Sequence, residues 1–391
     1  ATAEVMDLTI QRRSHDLVVS TYGRGVFVLD DYTPLRALTP KGLAEPASLF
    51  PISDAAMFVP GDPLGFPGVG FQGANYFTAP NPEIGAVLTY YVSQDFKSLK
   101  KQRNEAEKKL QEAGKDVTYP TYDRLKQEDT EEEPYLVFAI SDADGRLVSK
   151  IKKPIKAGVH RATWDLRTSP TGPIALQPPS DPAPWDSPDR GYMLAPGTYK
   201  VQLYRYQDGV LTAMGAPQSV SCEPLNLASI APADQQALRA FNDKTAALAR
   251  AISAADAHRG SLNGMLPYLE AAAISVRELA AEDIAEISAI RKGLKQVNTK
   301  LTGDNILTRY EGQARMSLKG RTDLIIGSLW NTTSGPTGTY ERAYQEARDS
   351  FGPVLAELRT LHERTQALAD RLERKGAPYT PGRMPVWEDT K

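Results

Sequence analysis

One cysteine, four histidines and no long apolar run are the scarce features of this 391-residue chain, and each closes off a class of function. Cys222 has no partner for an intrachain disulfide and no second thiolate with which to build a zinc site. Its setting, Gln218-Ser-Val-Ser-Cys-Glu223, alternates like a strand and reads as a small buried side chain, not a reactive thiol. Cys-x-x-Cys, His-Glu-x-x-His, Gly-x-Ser-x-Gly and the glycine-rich phosphate loop are all absent, so no metal, cofactor or catalytic residue is expected. No segment approaches the roughly 20 apolar residues that cross a bilayer, and the first residues lack the basic-then-apolar pattern of an export signal. Charge of one sign is lacking too. The 46 Lys and Arg stand against 48 Asp and Glu, a net −2, which supplies no field for nucleic acid or an anionic membrane.

What is present is the composition of a folded protein, 41% hydrophobic and 24% charged, in a chain long enough for two or three domains. Asp16-Leu-Val-Val-Ser-Thr-Tyr-Gly-Arg-Gly-Val-Phe-Val-Leu-Asp-Asp31 predicts two apolar strands around a Gly23-Arg24-Gly25 turn. A lone hairpin is marginal in water, and the residues ahead of Asp16 are too few to complete a sheet. The remaining strands are therefore expected outside these 391 residues. Residues 37–82 follow, rich in Pro and Gly without a helical or strand period, and read as a connector. Its aromatics Phe66, Phe71, Tyr76 and Phe77 are costly to leave in water and are expected to lie on a domain surface, with a lid as the alternative.

Residues 83–224 carry strand patterns at Gly85 to Val92, Tyr135 to Ser141, Arg146 to Lys152, Val159 to Leu166, Thr198 to Tyr206 and Gln218 to Cys222. Asp144-Gly145 and Asp208-Gly209 punctuate them as hairpin turns, and the whole suits a small antiparallel β-sandwich with Trp164 as its core plug. His160 and Arg161 alternate with Trp164, and no carboxylate or nucleophile stands at a spacing that would make His160 catalytic. Within the insertion 95–133, Phe96, Leu99, Ala106, Leu110 and Ala113 predict a helix stopped by Gly114. The acidic run Glu131 to Glu133 reads as loop, since three adjacent side chains do not converge on one ion. The Pro-rich loop 169–196 presents Trp185, either an anchor or an exposed contact. Trp185, Tyr76 and Phe77 are the candidate binding residues for a protein or glycan ligand.

From 225 to 376 the composition turns to Ala, Leu, Glu, Arg and Gln, and three apolar seams predict an antiparallel helical bundle. They run through Leu238, Phe241, Thr245, Leu248, Ile252 and Ala255; through Ile284, Ile287, Arg291, Leu294, Val297 and Leu301; and through Tyr340, Tyr344, Phe351, Leu355, Leu358, Leu361, Thr365, Leu368 and Leu372. His258 and His362 read as solitary, without the Glu-x-x-His pattern of a bundle metal site. The tail 377–391 is extended and aromatic, and is expected to dock back on the bundle. Asp30 with Asp31, Asp142 with Asp144, and the sequon Asn331-Thr-Thr333 have structural explanations in strand geometry, turns and helix ends.

The run from Asp16 to Asp31 with Thr33-Pro-Leu-Arg36 resembles the closing blade, here residues 1–36, of large secreted bacterial proteins with a sortilin-like β-propeller, often catalogued as Asp-box-repeat glycosyl hydrolases. Similarity continues through Gly85-Ala-Val-Leu-Thr-Tyr-Tyr-Val92, Asp142-Ala-Asp-Gly145, Gly158-Val-His-Arg-Ala-Thr-Trp-Asp-Leu-Arg167 and Pro196-Gly-Thr-Tyr199. The repeat itself, Ser-x-Asp-x-Gly-x-Thr-Trp, does not occur. The strand module is similar to the immunoglobulin-like domain of flagellar hook-capping proteins. These resemblances imply a multidomain α+β protein of propeller blade, Ig-like sandwich and helical bundle, exported to the periplasm, cell surface or medium. They imply a non-catalytic C-terminal scaffold or binding region that supports an N-terminal propeller, with oligomerisation open, or else the accessory region of a glycoside hydrolase whose active site lies on that propeller.

Overall fold

The computed structural model describes residues 3–61, 82–176, 190–225, 234–277, 281–311, 315–332, 334–384 and 387. The protein is mixed α+β. It divides into two compact units, residues 1–169 with 196–227, and residues 170–195 with 228–391.

The first unit opens with β1 (Val5–Gln11), β2 (Asp16–Thr21) and β3 (Val26–Leu29), an antiparallel meander in which Val18 lies opposite Thr9 on one side and Val28 on the other. The Gly23 and Gly25 turn is as the sequence predicts, but β1 is not. Met6, Leu8 and Ile10 alternate with Asp7 and Thr9, so the chain itself supplies a neighbour that was expected from outside. Two short helices follow, α1 (Thr33–Arg36) and α2 (Pro40–Ala44). The connector then contains two strands where none was expected, β4 (Ala47–Leu49) and β5 (Ala55–Met57). Each is only three residues long, too short to show an alternation.

Beyond them come β6 (Ala86–Val92), α3 (Leu99–Glu112), α4 (Tyr122–Thr130), β7 (Tyr135–Ser141), β8 (Leu147–Pro154), β9 (Gly158–Trp164), β10 (Gly197–Gln207), β11 (Val210–Ala213) and β12 (Gln218–Pro224). One sheet has the order β5-β12-β10-β7-β8 with β11 added to β10, and a second has the order β4-β6-β9. All pairings are antiparallel except β5 with β12. Alternation along β7 buries Leu136, Phe138 and Ile140 completely. Tyr90 of β6 meets the Phe138 ring edge-on at 5.0 Å, and Trp164 of β9 meets Tyr199 of β10 at 5.3 Å, so the two sheets share one core. Trp164 is buried as its pattern predicts, and its Nε1 donates to the Arg167 carbonyl at 3.0 Å. Gly85 stands at φ +134°, and a Cβ there would lie 2.0 Å from the Trp164 carbonyl oxygen. Only glycine fits.

The insertion is a surface helical pair. Ser98 caps α3 by accepting from the Lys101 N–H at 3.2 Å, and Gly114 stops it at φ +66°. No α3 residue is buried; the helix is held to α4, which has no sequence signature, by Arg103 donating to both oxygens of Glu128 at 2.8 and 3.0 Å.

The second unit contains α5 (Gln235–Ser275), α6 (Ala281–Thr302), α7 (Asn305–Glu311), α8 (Leu318–Leu329) and α9 (Gly338–Arg374). Asp234 caps α5, accepting from the N–H groups of Gln236 and Ala237 at 2.9 and 3.2 Å. The α5, α6 and α9 seams meet in one core that includes Ile252, Leu294, Leu301, Leu358 and Leu368. Two seams are rotated from their expected phase. Ile290, not Arg291, is buried on α6, while Arg291 pairs with Glu270 at 2.7 Å. On α9 Val354 is buried and Leu355 is 37% exposed. From the Pro-rich loop, Tyr192 stacks edge-on with Trp330 at 5.8 Å and donates its hydroxyl hydrogen bond to Asp243. The tail docks through Thr380 and Arg383, whose guanidinium donates to Ala369 O, Pro378 O and Glu373, and not through Tyr379 and Trp387, which are exposed.

Candidate functional site

Tyr76, Phe77 and Trp185 lie outside the described residues, as do Phe66 and Phe71. Within the first unit, a cleft of about 1020 Å³ opens where the β1–β2 turn, the end of β3, the start of β5 and the strands β6 and β9 meet. Its ionisable lining is Arg13, His15, Asp30, Asp31, Asp54, Glu83 and Arg161.

The centre of this group is built from two motifs that stand far apart in sequence. Asp31 ends β3 at φ +37° and His15 precedes β2 at φ +58°, the left-handed region that Asp and His enter more readily than bulkier residues. The Asp31 N–H donates to Asp16 Oδ1 at 3.0 Å, and the Tyr32 N–H donates to the His15 carbonyl at 2.9 Å. The Asp31 carboxylate accepts from the Thr33 N–H at 3.1 Å, the Thr33 hydroxyl and the Ser53 hydroxyl at 2.8 Å. Arg161 Nη2, on β9, donates to the carbonyls of Asp30 and of Asp31, the latter at 2.9 Å. Burial pushes the Asp31 carboxyl up, but the hydrogen bonds from Thr33 and Ser53 and the Arg161 charge outweigh it and hold the pKa below the usual carboxylate range.

That direction decides what Asp31 can do. A general acid at neutral pH needs a raised carboxyl pKa and a proton to give, whereas Asp31 is ionised and occupied as an acceptor. The arrangement is a clamp that fixes the end of β3 to β9, with a polar cleft beside it.

Other singled-out residues are equally engaged. His160 Nε2 lies 3.0 Å from the carbonyls of Lys156 and Ala157, which fixes its proton on Nε2 and ties the β8–β9 turn. Asp142 accepts from the N–H groups of Asp144 and Arg146 at 3.1 and 2.9 Å, closing the β7–β8 turn. Glu131 accepts from the Leu99 N–H at 2.8 Å, and Glu132 from the Tyr206 hydroxyl at 2.7 Å. Burial, with Asp54 nearby, pushes the Cys222 thiol up to about 12, so it stays protonated and unreactive. Asn331 follows the end of α8, and Thr333 of its sequon lies outside the described residues. Among the described residues no three or more His, Cys, Asp or Glu gather to hold a metal, and no helix is long and apolar enough to cross a membrane.

The β1–β3 sheet, whose β2 and β3 read in the sequence as apolar strands in need of neighbours and whose β1 was not foreseen, presents an apolar surface. Val5, Met6, Leu8, Ile10, Val26, Phe27, Val28 and Leu29 are between 41% and 64% exposed, and because neighbours along a strand point oppositely, both faces of the sheet carry them. The signal was the absence of polar alternation in Val26-Phe-Val-Leu29, the mark of a strand covered on both sides. The chain matches no protein-family model, no curated protein and no solved structure.

Proposed function

We propose that this chain is the non-catalytic C-terminal scaffold and binding region of an exported β-propeller protein, with β1–β3 belonging to the closing blade and the two facing sheets forming an Ig-like sandwich. The observation that carries the reading is the apolar sheet exposed on both faces. A propeller blade is packed between two neighbouring blades, so it needs apolar residues on both sides, whereas a surface meander needs them on one. Eight large apolar side chains, four on β1 and four on β3 and each at least 41% exposed, form a patch of the kind that marks an interaction surface. The Arg161 clamp then transmits the position of the blade to β9, which is the work of a support.

The test is the polypeptide purified from its natural source, by intact mass and hydrogen exchange. The expected result is a mass well above 42.8 kDa, or a co-purifying propeller subunit, with slow exchange along β1 and β3. A mass of 42.8 kDa with no partner and rapid exchange at both strands overturns it. Incubation of the purified chain with glycosides is expected to give no turnover, and turnover abolished by His160→Ala would place chemistry in this region.

A further inference from the structure

His258 on α5 and His362 on α9 were solitary in sequence, and the fold brings them together: Nε2 of the first lies 3.2 Å from Nδ1 of the second. Their rings stand 5.0 Å apart between centroids, inclined at 53°. Two nitrogens bound to one ion at about 2.1 Å and a near-tetrahedral angle are about 3.4 Å apart, close to the observed 3.2 Å. We infer that His258 and His362 form a two-histidine chelate for a divalent ion of the zinc, copper and nickel group, bridging α5 and α9 with the remaining coordination positions open to water.

Several features of the pair suit this chemistry. Imidazole is a borderline ligand that favours these ions over magnesium or calcium. In the ion's absence one ring donates N–H to the other. On binding, the donor ring shifts that proton to its second nitrogen, so both facing nitrogens present lone pairs and a neutral pair releases no proton. The two rings come from positions 104 residues apart, so an ion held by both favours the folded arrangement of α5 and α9 over any state in which those helices separate.

The experiment uses the full chain, titrated with Cu²⁺ and Zn²⁺. One ion per chain is expected, with copper resonance spectra showing couplings from two imidazole nitrogens and a zinc-dependent rise of several degrees in the melting temperature. His258→Ala and His362→Ala should each weaken binding by about tenfold or more and abolish the zinc-dependent rise. Because His258 is exposed and His362 only partly covered, both variants are expected to keep the parent's helical signal. His362→Gln, which preserves a polar side chain, should lose the ion as His362→Ala does. His15→Ala and His160→Ala should bind as the parent. Binding unchanged in the His258 and His362 variants, a single-nitrogen signature, or no saturable uptake of either ion overturns the inference and leaves a plain hydrogen bond between two rings.

Discussion

Strands β3 and β7 are built from the same kinds of residue and meet opposite fates. Val26-Phe-Val-Leu29 stands at least 41% exposed at every position, while Leu136, Phe138 and Ile140 are completely buried, with Tyr90 of the facing sheet against Phe138. A strand sequence states how much cover a side chain needs; it does not state where the cover comes from. For β7 the cover is in the chain. For β3 it is not among the described residues, and that difference leaves the first sheet's apolar side chains exposed while the later sheets form a core.

The contrast can be broken most severely in the helical unit, whose seams are covered in the manner of β7. Leu358→Asp places an unpaired charge in the α5, α6 and α9 core, where the cost of several kcal/mol approaches a domain's whole stability. Loss of a cooperative helical transition is expected by circular dichroism. Leu248→Asp, at a half-buried position beside the same core, should melt lower than the parent but remain helical. A parental melt for Leu358→Asp would show that the seam faces solvent.

A matched pair of truncations tests the comparison itself. Phe138→Ala should cost about 3–5 kcal/mol in denaturant unfolding, because it removes a fully buried ring and leaves a cavity. Phe27→Ala should cost less than about 1 kcal/mol in the isolated chain, because half the ring is already in water. If the two variants lose equal stability, β3 is covered after all.

Next in size is Asp283, 1% exposed in the α6 seam and bonded to Arg371 at 2.7 Å and Lys375 at 2.6 Å. Burial pushes its carboxyl up, yet the hydrogen bonds and charges of Lys375 and Arg371 prevail and hold it below the usual range. Its stabilisation is therefore complete above the unfolded carboxylate value of about 3.9 and is lost as pH falls through the lower folded value. Asp283→Asn should cost about 2 kcal/mol at neutral pH. Melting curves from neutral to acid pH should show the two proteins converging at the acid end; a gap independent of pH would show that the carboxylate's charge is not what matters.

The smallest effect is expected on α3, where no residue is buried. Lys108→Glu, at a fully solvated position 3.9 Å from Glu112, should change stability by no more than about 0.5 kcal/mol.

Much of the fold was legible because its long elements repeat their pattern many times. The 41 residues of α5 and 37 of α9 show their seams over many turns, and β7 and β10 alternate cleanly. Phase was harder. A helix turns 100° per residue, so adjacent residues such as Ile290 and Arg291, or Val354 and Leu355, both fit a three-or-four spacing, and only the facing helix decides between them. Short pieces without repeats, β4 and β5, left no trace. The His258 and His362 pair and the Arg161 clamp were illegible for another reason: each joins residues more than 100 positions apart, and no local spacing encodes such a meeting.

Arg161 reaches for the oxygens of the main chain at Asp30 and Asp31, not for their carboxylates. Every amino acid carries such an oxygen, so the grip reads the path of the strand's end and is indifferent to the side chains along it. Position 30 is thus free to drift in an evolving lineage, while position 161 must keep a long planar donor. Arg161→Lys, chemically modest, would exchange that planar fork for a point charge and let the two segments slide past one another.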